Sequence, residues 1–92
     1  MQEILRDIIS TVPQGYFFDS HFVIEKLAEE YPKVYESEVP KDNLASYHSV
    51  LARRIKQLPG SLVEQKEEKS WSKNINGNYS ECVLWRRVVQ SS

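Results

Sequence analysis

The hydrophobic pattern of this chain changes once, at Pro59 and Gly60. Before this point apolar residues recur every three or four positions in three separate segments, which is the spacing of helices that bury one face. After it the helical spacing is lost, and the pair Asn76 and Gly77 is a strong short-range signal for a β-hairpin. The sequence therefore predicts an α+β fold, a three-helix cluster followed by a C-terminal β-hairpin over residues 62–89.

The first two helices are separated by an aromatic run. The buried stripe of the first predicted helix consists of Ile4, Leu5, Ile8, Ile9 and Val12. Pro13 breaks this helix, and Tyr16, Phe17 and Phe18 then suit a short strand or an extended segment against the core. Asp19 or Ser20 supplies the side-chain oxygen that caps the second helix, which runs for about 12 residues at helical spacing and ends before Pro32.

The third predicted helix is the best defined of the three. Asp42 or Asn43 caps it, and Pro59 with Gly60 ends it after Leu58. The stretch before it, residues 33–41, is predicted to be an irregular connection, with a helical turn around Tyr35 as the alternative. On the third helix, small polar and then basic residues lie opposite the apolar stripe, namely Ser46, Ser49, Arg53 and Lys56.

The predicted hairpin carries both tryptophans. With a two-residue turn at Asn76 and Gly77, Trp71 lies opposite Cys82 and Lys69 lies opposite Leu84. Because residues 64–70 are wholly polar, we expect the hairpin to project from the body of the domain. Trp85 and Trp71 are expected to pack against the helices, and base stacking is the alternative for these rings.

The size of the chain predicts one domain, residues 1–92, with its core within residues 2–89. The residues expected to form that core are Ile8, Leu27, Leu51, Ile55 and Leu84. The N-terminal segment has neither the basic start nor the apolar run of a signal peptide or membrane span. A cytoplasmic domain without membrane contact is therefore the expectation, and a single cysteine fits a reducing compartment.

Charge is divided unevenly along the chain although the net charge is only −1. The first forty residues hold eight acidic and three basic side chains, and the remaining residues hold nine basic and five acidic ones. Such a split suits a domain in which one side approaches phosphate and the other faces solvent or a partner.

No pattern for catalysis, cofactor or metal binding is present. The chain lacks the phosphate-binding, dinucleotide-binding, zinc-protease and nucleophile-elbow motifs, so we expect no enzyme activity and no cofactor. His21 and His48 lie in different predicted helices, and His21, at a helix start, is expected in solvent. Cys82 has no CxxC or histidine-rich sequence around it, so it is interpreted as a structural thiol and no metal site is predicted.

The order of these elements resembles the winged helix-turn-helix superfamily. The resemblance is carried by Phe18, Asp19 and Ser20 at the start of the second helix, by the helix over residues 43–58 and by the hairpin over residues 62–89. It implies that the third helix enters the major groove of double-stranded DNA through Ser46, Ser49, Arg53 and Lys56. It also implies wing contacts to DNA from Lys69 and Lys73, with Asn74 and Asn76 as further candidates.

The function expected from this resemblance is non-enzymatic DNA binding, as a small transcriptional regulator or mobile-element accessory protein, acting as a homodimer or with a partner. The alternative is a protein-interaction module on the same scaffold, with the acidic first and second helices as its contact face. The long connection before the third helix and the near-zero net charge favour that alternative.

Overall fold

A computed structural model of the protein describes residues 2–38 and 44–89, and for residues 44–48 it describes the backbone alone. The elements in chain order are α1 (Gln2–Ser10), β1 (Phe17–Asp19), α2 (Ser20–Glu30), α3 (Pro32–Glu38), α4 (Leu44–Lys56), β2 (Val63–Lys73) and β3 (Tyr79–Arg87). The predicted α+β class, with helices first and a hairpin last, is confirmed. Within the described ranges, no helix has the length and apolar character needed to cross a membrane.

One buried apolar cluster joins the helices to the sheet. Four of the predicted core residues, Ile8, Leu27, Leu51 and Ile55, are at most 1% exposed. The fifth prediction, Leu84, is wrong, because Leu84 is only half-buried and its neighbour Trp85, 2% exposed, belongs to the core instead. Since neighbouring strand residues point to opposite faces, only one of the two side chains can face the helices.

The sheet has three antiparallel strands in the order β1-β3-β2. The aromatic run thus forms a short strand, as predicted, rather than the alternative of an extended segment. In this strand Phe18 lies opposite Trp85, and both side chains are buried. β1 ends at Asp19 opposite Leu84, so the chain enters α2 beside the outer part of β3.

Asp19 is the N-cap of α2. Its carboxylate Oδ1 accepts a hydrogen bond from the backbone N–H of Phe22 at 2.8 Å, which satisfies one of the unpaired donors in the first helical turn. Of the two predicted cap residues, Asp19 is therefore the correct one.

The connection before α4 differs from the prediction. An irregular segment was expected there, whereas Pro32–Glu38 forms the helix α3, so the alternative of a turn around Tyr35 was closer. α4 corresponds to the predicted third helix, but it ends at Lys56 rather than Leu58. Its predicted caps, Asp42 and Asn43, lie outside the described residues.

The hairpin forms where it was predicted, but its turn and register were wrong. Gly77 has a positive φ of 88° and no described non-glycine residue has one, so Asn76 does not form the type I′ pair. Asn74 Oδ1 instead accepts the N–H groups of Asn76 at 3.0 Å and Asn78 at 3.1 Å, which builds a longer loop.

That loop shifts the strand pairing by one residue. Ser70, not Trp71, lies opposite Cys82, and Val83, not Leu84, lies opposite Lys69. A further irregularity between Gln65 and Lys69 places Gln65 opposite Trp85. A one-residue shift moves every side chain to the other face of a strand, so the corrected register decides what each face of the hairpin displays.

Candidate functional site

The two faces of the outer hairpin have different chemistry. Residues directly opposite each other in an antiparallel pair share a face, and alternate residues along a strand do too. One face, called here the lysine–tryptophan face, carries Lys69, Trp71, Lys73, Tyr79, Glu81 and Val83. The opposite one, called the serine–cysteine face, carries Ser70, Ser72, Ser80 and Cys82.

The aromatic rings of the lysine–tryptophan face are exposed. Trp71 is 68% and Tyr79 is 62% exposed, and Lys69 and Lys73 on either side of Trp71 are exposed as well. The prediction that Trp71 packs against the helices is therefore wrong, whereas the same prediction for Trp85 is confirmed. The described helices leave this part of the face uncovered.

The basic residues of α4 adjoin this face. Arg53 and Lys56 are exposed, as is Ser49, while the side chain of Ser46 lies outside the described residues. A shallow cavity of about 230 Å³ is lined by Arg53, Lys56 and Val83, and Val83 is the cross-strand partner of Lys69. Arg53 and Lys56 of α4 therefore lie beside Val83, which belongs to the same hairpin face as Lys69 and Lys73.

These cations differ from Arg54, Lys66 and Arg86 in having no acidic partner among the described residues. Arg54 pairs with Glu38 at 3.4 Å, and Arg86 pairs with Glu64 at 3.4 Å. Neither Arg53, Lys56, Lys69 nor Lys73 forms an ion pair within the described part of the chain. Their charge is free to meet an anionic ligand, with Glu81 as an acidic residue on the same face.

The serine–cysteine face is covered by the first turn of α2. His21 is only 7% exposed, so the prediction that it lies in solvent is wrong. Its ring nitrogens contact two serine hydroxyls, Nδ1 to Ser72 Oγ at 2.7 Å and Nε2 to Ser80 Oγ at 3.4 Å. The cause is the short β1 strand, which ends beside β3 and leaves the start of α2 against the hairpin.

Hydrogen bonds connect the polar side chains of this cluster in a chain from Asn74 to Cys82. The amide of Asn74 donates to Ser80 Oγ at 3.3 Å, and Ser80 can then donate to His21 Nε2. His21 Nδ1 shares a hydrogen bond with the Ser72 hydroxyl at 2.7 Å, and that hydroxyl lies 4.0 Å from Cys82 Sγ. The buried histidine thus links the hairpin loop to the cysteine on β3.

Asp19 completes the cluster beside His21 and Cys82. Ser70 Oγ donates to Asp19 Oδ2 at 2.7 Å. Burial would raise the pKa of the Asp19 carboxyl, but the hydrogen bonds from Ser70 and from the Phe22 amide outweigh burial and hold this pKa below its ordinary value. One ligand-type atom from each of Asp19, His21 and Cys82 lies within 4.8 Å of the others.

The sequence did not reveal this cluster, because its members are far apart in the chain. The sequence identifies Asp19 only as a candidate helix cap, and it places no CxxC or histidine-rich segment around Cys82. The available signal was the alternation of small polar residues, Ser70 with Ser72 and Ser80 with Cys82, at the spacing of one strand face. Burial raises the pKa of the Cys82 thiol, which keeps it protonated at neutral pH.

A cavity of about 360 Å³ opens between α2, α4 and the hairpin. His21 and Cys82 line it from one side, and Ser49 of α4 lines it from another. The buried cluster is therefore accessible from the same groove that separates α4 from the hairpin.

No protein-family model, curated protein or solved structure matches this chain. Its function is inferred from the residues and geometry described above.

Proposed function

We propose that this protein binds double-stranded DNA through α4 and the lysine–tryptophan face of the hairpin. The observation that carries the proposal is the position of Arg53 and Lys56 beside Val83, which continues the face of Lys69 and Lys73. All four cations are exposed and without an acidic partner among the described residues. Phosphate neutralisation by such cations supplies nearly all of the sequence-independent affinity of proteins for DNA.

The chemistry of each element suits a different part of DNA. The guanidinium of Arg53 can donate two parallel hydrogen bonds to guanine, and Ser49 is small enough to let α4 approach the bases. Lys69 and Lys73 would contact phosphates on the adjacent backbone. The exposed rings of Trp71 and Tyr79 would add apolar contact with sugars or with the minor groove.

The order of elements supports a winged helix-turn-helix scaffold for this binding mode. A helix, a short strand, three further helices and a final hairpin follow one another in the chain. Without α3, this is the order that the resemblance implies, with α4 as the recognition helix and the hairpin as the wing. α3 occupies the connection that is longer than in a minimal helix-turn-helix. In the cytoplasm such a domain would serve as a small transcriptional regulator or mobile-element accessory protein.

The test is a titration of a fluorescent random-sequence duplex at two salt concentrations. Each phosphate contact contributes about one unit to the slope of log affinity against log salt, so Arg53→Ala with Lys56→Ala should weaken binding and flatten the slope by about two units. A matched control removes two exposed cations elsewhere, Arg6→Ala with Lys33→Ala, and should leave the slope unchanged.

Circular dichroism must show that both double variants remain folded, which we expect since all four side chains are exposed. Wild-type protein that binds no duplex at low salt would contradict the proposal. Equal loss of affinity in the two double variants would contradict the placement of the DNA at α4.

A second candidate function is protein interaction, and a separate apolar surface favours it. Tyr16 is 65% and Phe17 is 57% exposed, next to the outer edge of β1. Exposed aromatic residues beside an unpaired strand edge are typical of contact surfaces. If the duplex titration shows no binding, analytical ultracentrifugation tests this candidate. A dimer that the wild type forms and Phe17→Ser does not form would support it.

A further inference from the structure

We propose that Asp19, His21 and Cys82 bind a zinc ion between the start of α2 and the serine–cysteine face of the hairpin. The three side chains offer a carboxylate oxygen, an imidazole nitrogen and a thiol sulfur, with their ligand-type atoms within 4.8 Å of one another. Zinc accepts all three ligand types. The site is independent of the proposed DNA binding.

The spacing of the three atoms is close to that of a tetrahedral site. Zinc bonds of about 2.0–2.3 Å place the ligand atoms about 3.3–3.8 Å apart. The atoms therefore need to approach one another by about 1 Å, which rotation of the side chains can supply. Their backbones belong to the cap and first turn of α2 and to β3 at the middle of the sheet, which hold the three residues in place.

The surroundings of His21 fit a metal ligand. Metal-binding histidines usually donate their second ring N–H to a neighbouring oxygen, which fixes the ring and its tautomer. His21 has Ser72 at one ring nitrogen and Ser80 at the other. Whichever nitrogen binds zinc, the remaining nitrogen therefore keeps a serine hydroxyl as its partner.

The charge around the cluster also favours a cation. Asp19 is half-buried, and no lysine or arginine among the described residues forms an ion pair with it. Its carboxylate and a Cys82 thiolate would place two negative charges beside one point. A divalent ion balances these charges and promotes loss of the thiol proton when it binds.

The site has a free coordination position. Three protein ligands leave the fourth corner of a tetrahedron for water or another small ligand. The cavity of about 360 Å³ reaches both His21 and Cys82, so that corner is accessible from the groove between α4 and the hairpin. Bound zinc would also fix the angle between the hairpin and α2.

The experiment is a titration of reduced, metal-free protein with Co²⁺, which replaces zinc and gives a thiolate-to-metal absorption band in the near ultraviolet. We expect the band to saturate at one equivalent and to disappear when Zn²⁺ is added. Cys82→Ser should abolish it. Asp19→Asn keeps a good N-cap residue but removes the charge, and should weaken Co²⁺ binding at least tenfold.

The control variant is Asp7→Asn, which removes an exposed carboxylate on α1 and should bind Co²⁺ like the wild type. The wild-type titration is decisive even if Cys82→Ser fails to fold. Absence of a thiolate band at one equivalent, or equal binding by the wild type and Asp19→Asn, would overturn the zinc site and leave the cluster as a hydrogen-bonded network alone.

Discussion

The two faces of the outer hairpin come from alternate residues of the same two strands. The face with the aromatic residues is exposed, whereas the face with the small polar residues is partly buried. Trp71, the largest side chain in this part of β2, is 68% exposed. Its neighbours Ser70 and Ser72 are partly buried against Asp19 and His21. Apolar residues are normally inside and small polar residues outside, so both deviations are informative.

The difference between the faces shows which one is exposed and which one packs against α2. Trp71, between two exposed lysines, buries little apolar area in the fold, so it is available for the proposed contact with DNA. The serine–cysteine face, in contrast, has its hydroxyls and thiol in contact with the start of α2, which fixes the direction of the hairpin relative to the helices. One face holds the hairpin in position and the other remains available.

The largest expected effect is the difference in stability between variants of the two tryptophans. Both lie on the same side of the hairpin, Trp85 at its inner part and Trp71 at its outer part. Trp85→Ala removes a core side chain and a hydrogen bond from Nε1 to Ser20 Oγ at 3.2 Å. We expect it to lower the free energy of unfolding by about 3–5 kcal/mol, against about 0.5 kcal/mol or less for Trp71→Ala. Urea unfolding followed by circular dichroism measures both, and similar losses would show that helices cover the outer part too.

The second prediction concerns Asp19, which joins the serine–cysteine face to α2. Asp19→Ala should cost about 1–2 kcal/mol in metal-free protein, because both the cap and the Ser70 hydrogen bond are lost. Asp19→Asn should retain most of the cap.

The same residue makes stability depend on pH. Because its folded pKa is lowered, Asp19 stabilises the fold above the unfolded value of about 3.9, and this contribution is lost as the pH falls through the folded pKa. The unfolding free energy of metal-free protein should therefore decrease more between neutral and acidic pH for the wild type than for Asp19→Asn. Parallel curves would mean that the carboxylate is not held in its charged form by Ser70 and Phe22.

The smallest expected effect concerns the loop that sets the register of both faces. Gly77 has a φ of 88°, a conformation that costs other residues about 1–2 kcal/mol, although an added Cβ would meet only Lys73 Cε at 3.9 Å. Gly77→Ala should therefore destabilise by about 1 kcal/mol. Gly60→Ala is the matched control, because Gly60 has no positive φ and an added Cβ meets nothing within 4 Å. Equal stabilities of the two variants in urea would contradict the left-handed turn.

The helices and most of the core followed from the sequence because apolar spacing records which face a helix buries. Leu51 and Ile55 lie one helical turn apart, and both are fully buried. Register was harder to predict, because it depends on the loop, and Asn74 lengthened that loop by accepting two backbone N–H groups with one side-chain oxygen. The resulting shift by one residue moved Trp71 away from Cys82 and put Ser70 there.

The candidate site was only partly predictable for a similar reason. Arg53 and Lys56 were identified because exposure on a helix follows from spacing within one element. The burial of His21 depends on where β1 ends relative to β3, which is a contact between distant segments. The residues around a histidine at a helix start do not indicate such a distant contact.

Arg87, the last residue of β3, affects the order in which the domain is completed during synthesis. Its guanidinium donates to the carbonyl oxygens of Ser10 at 2.8 Å and Val12 at 2.7 Å, so the last strand satisfies the end of the first helix. β1 likewise pairs with β3 and with no nearer strand. A ribosome must therefore deliver the chain as far as Arg87 before α1 obtains its final hydrogen bonds. Contacts this distant in sequence slow the folding of a small domain.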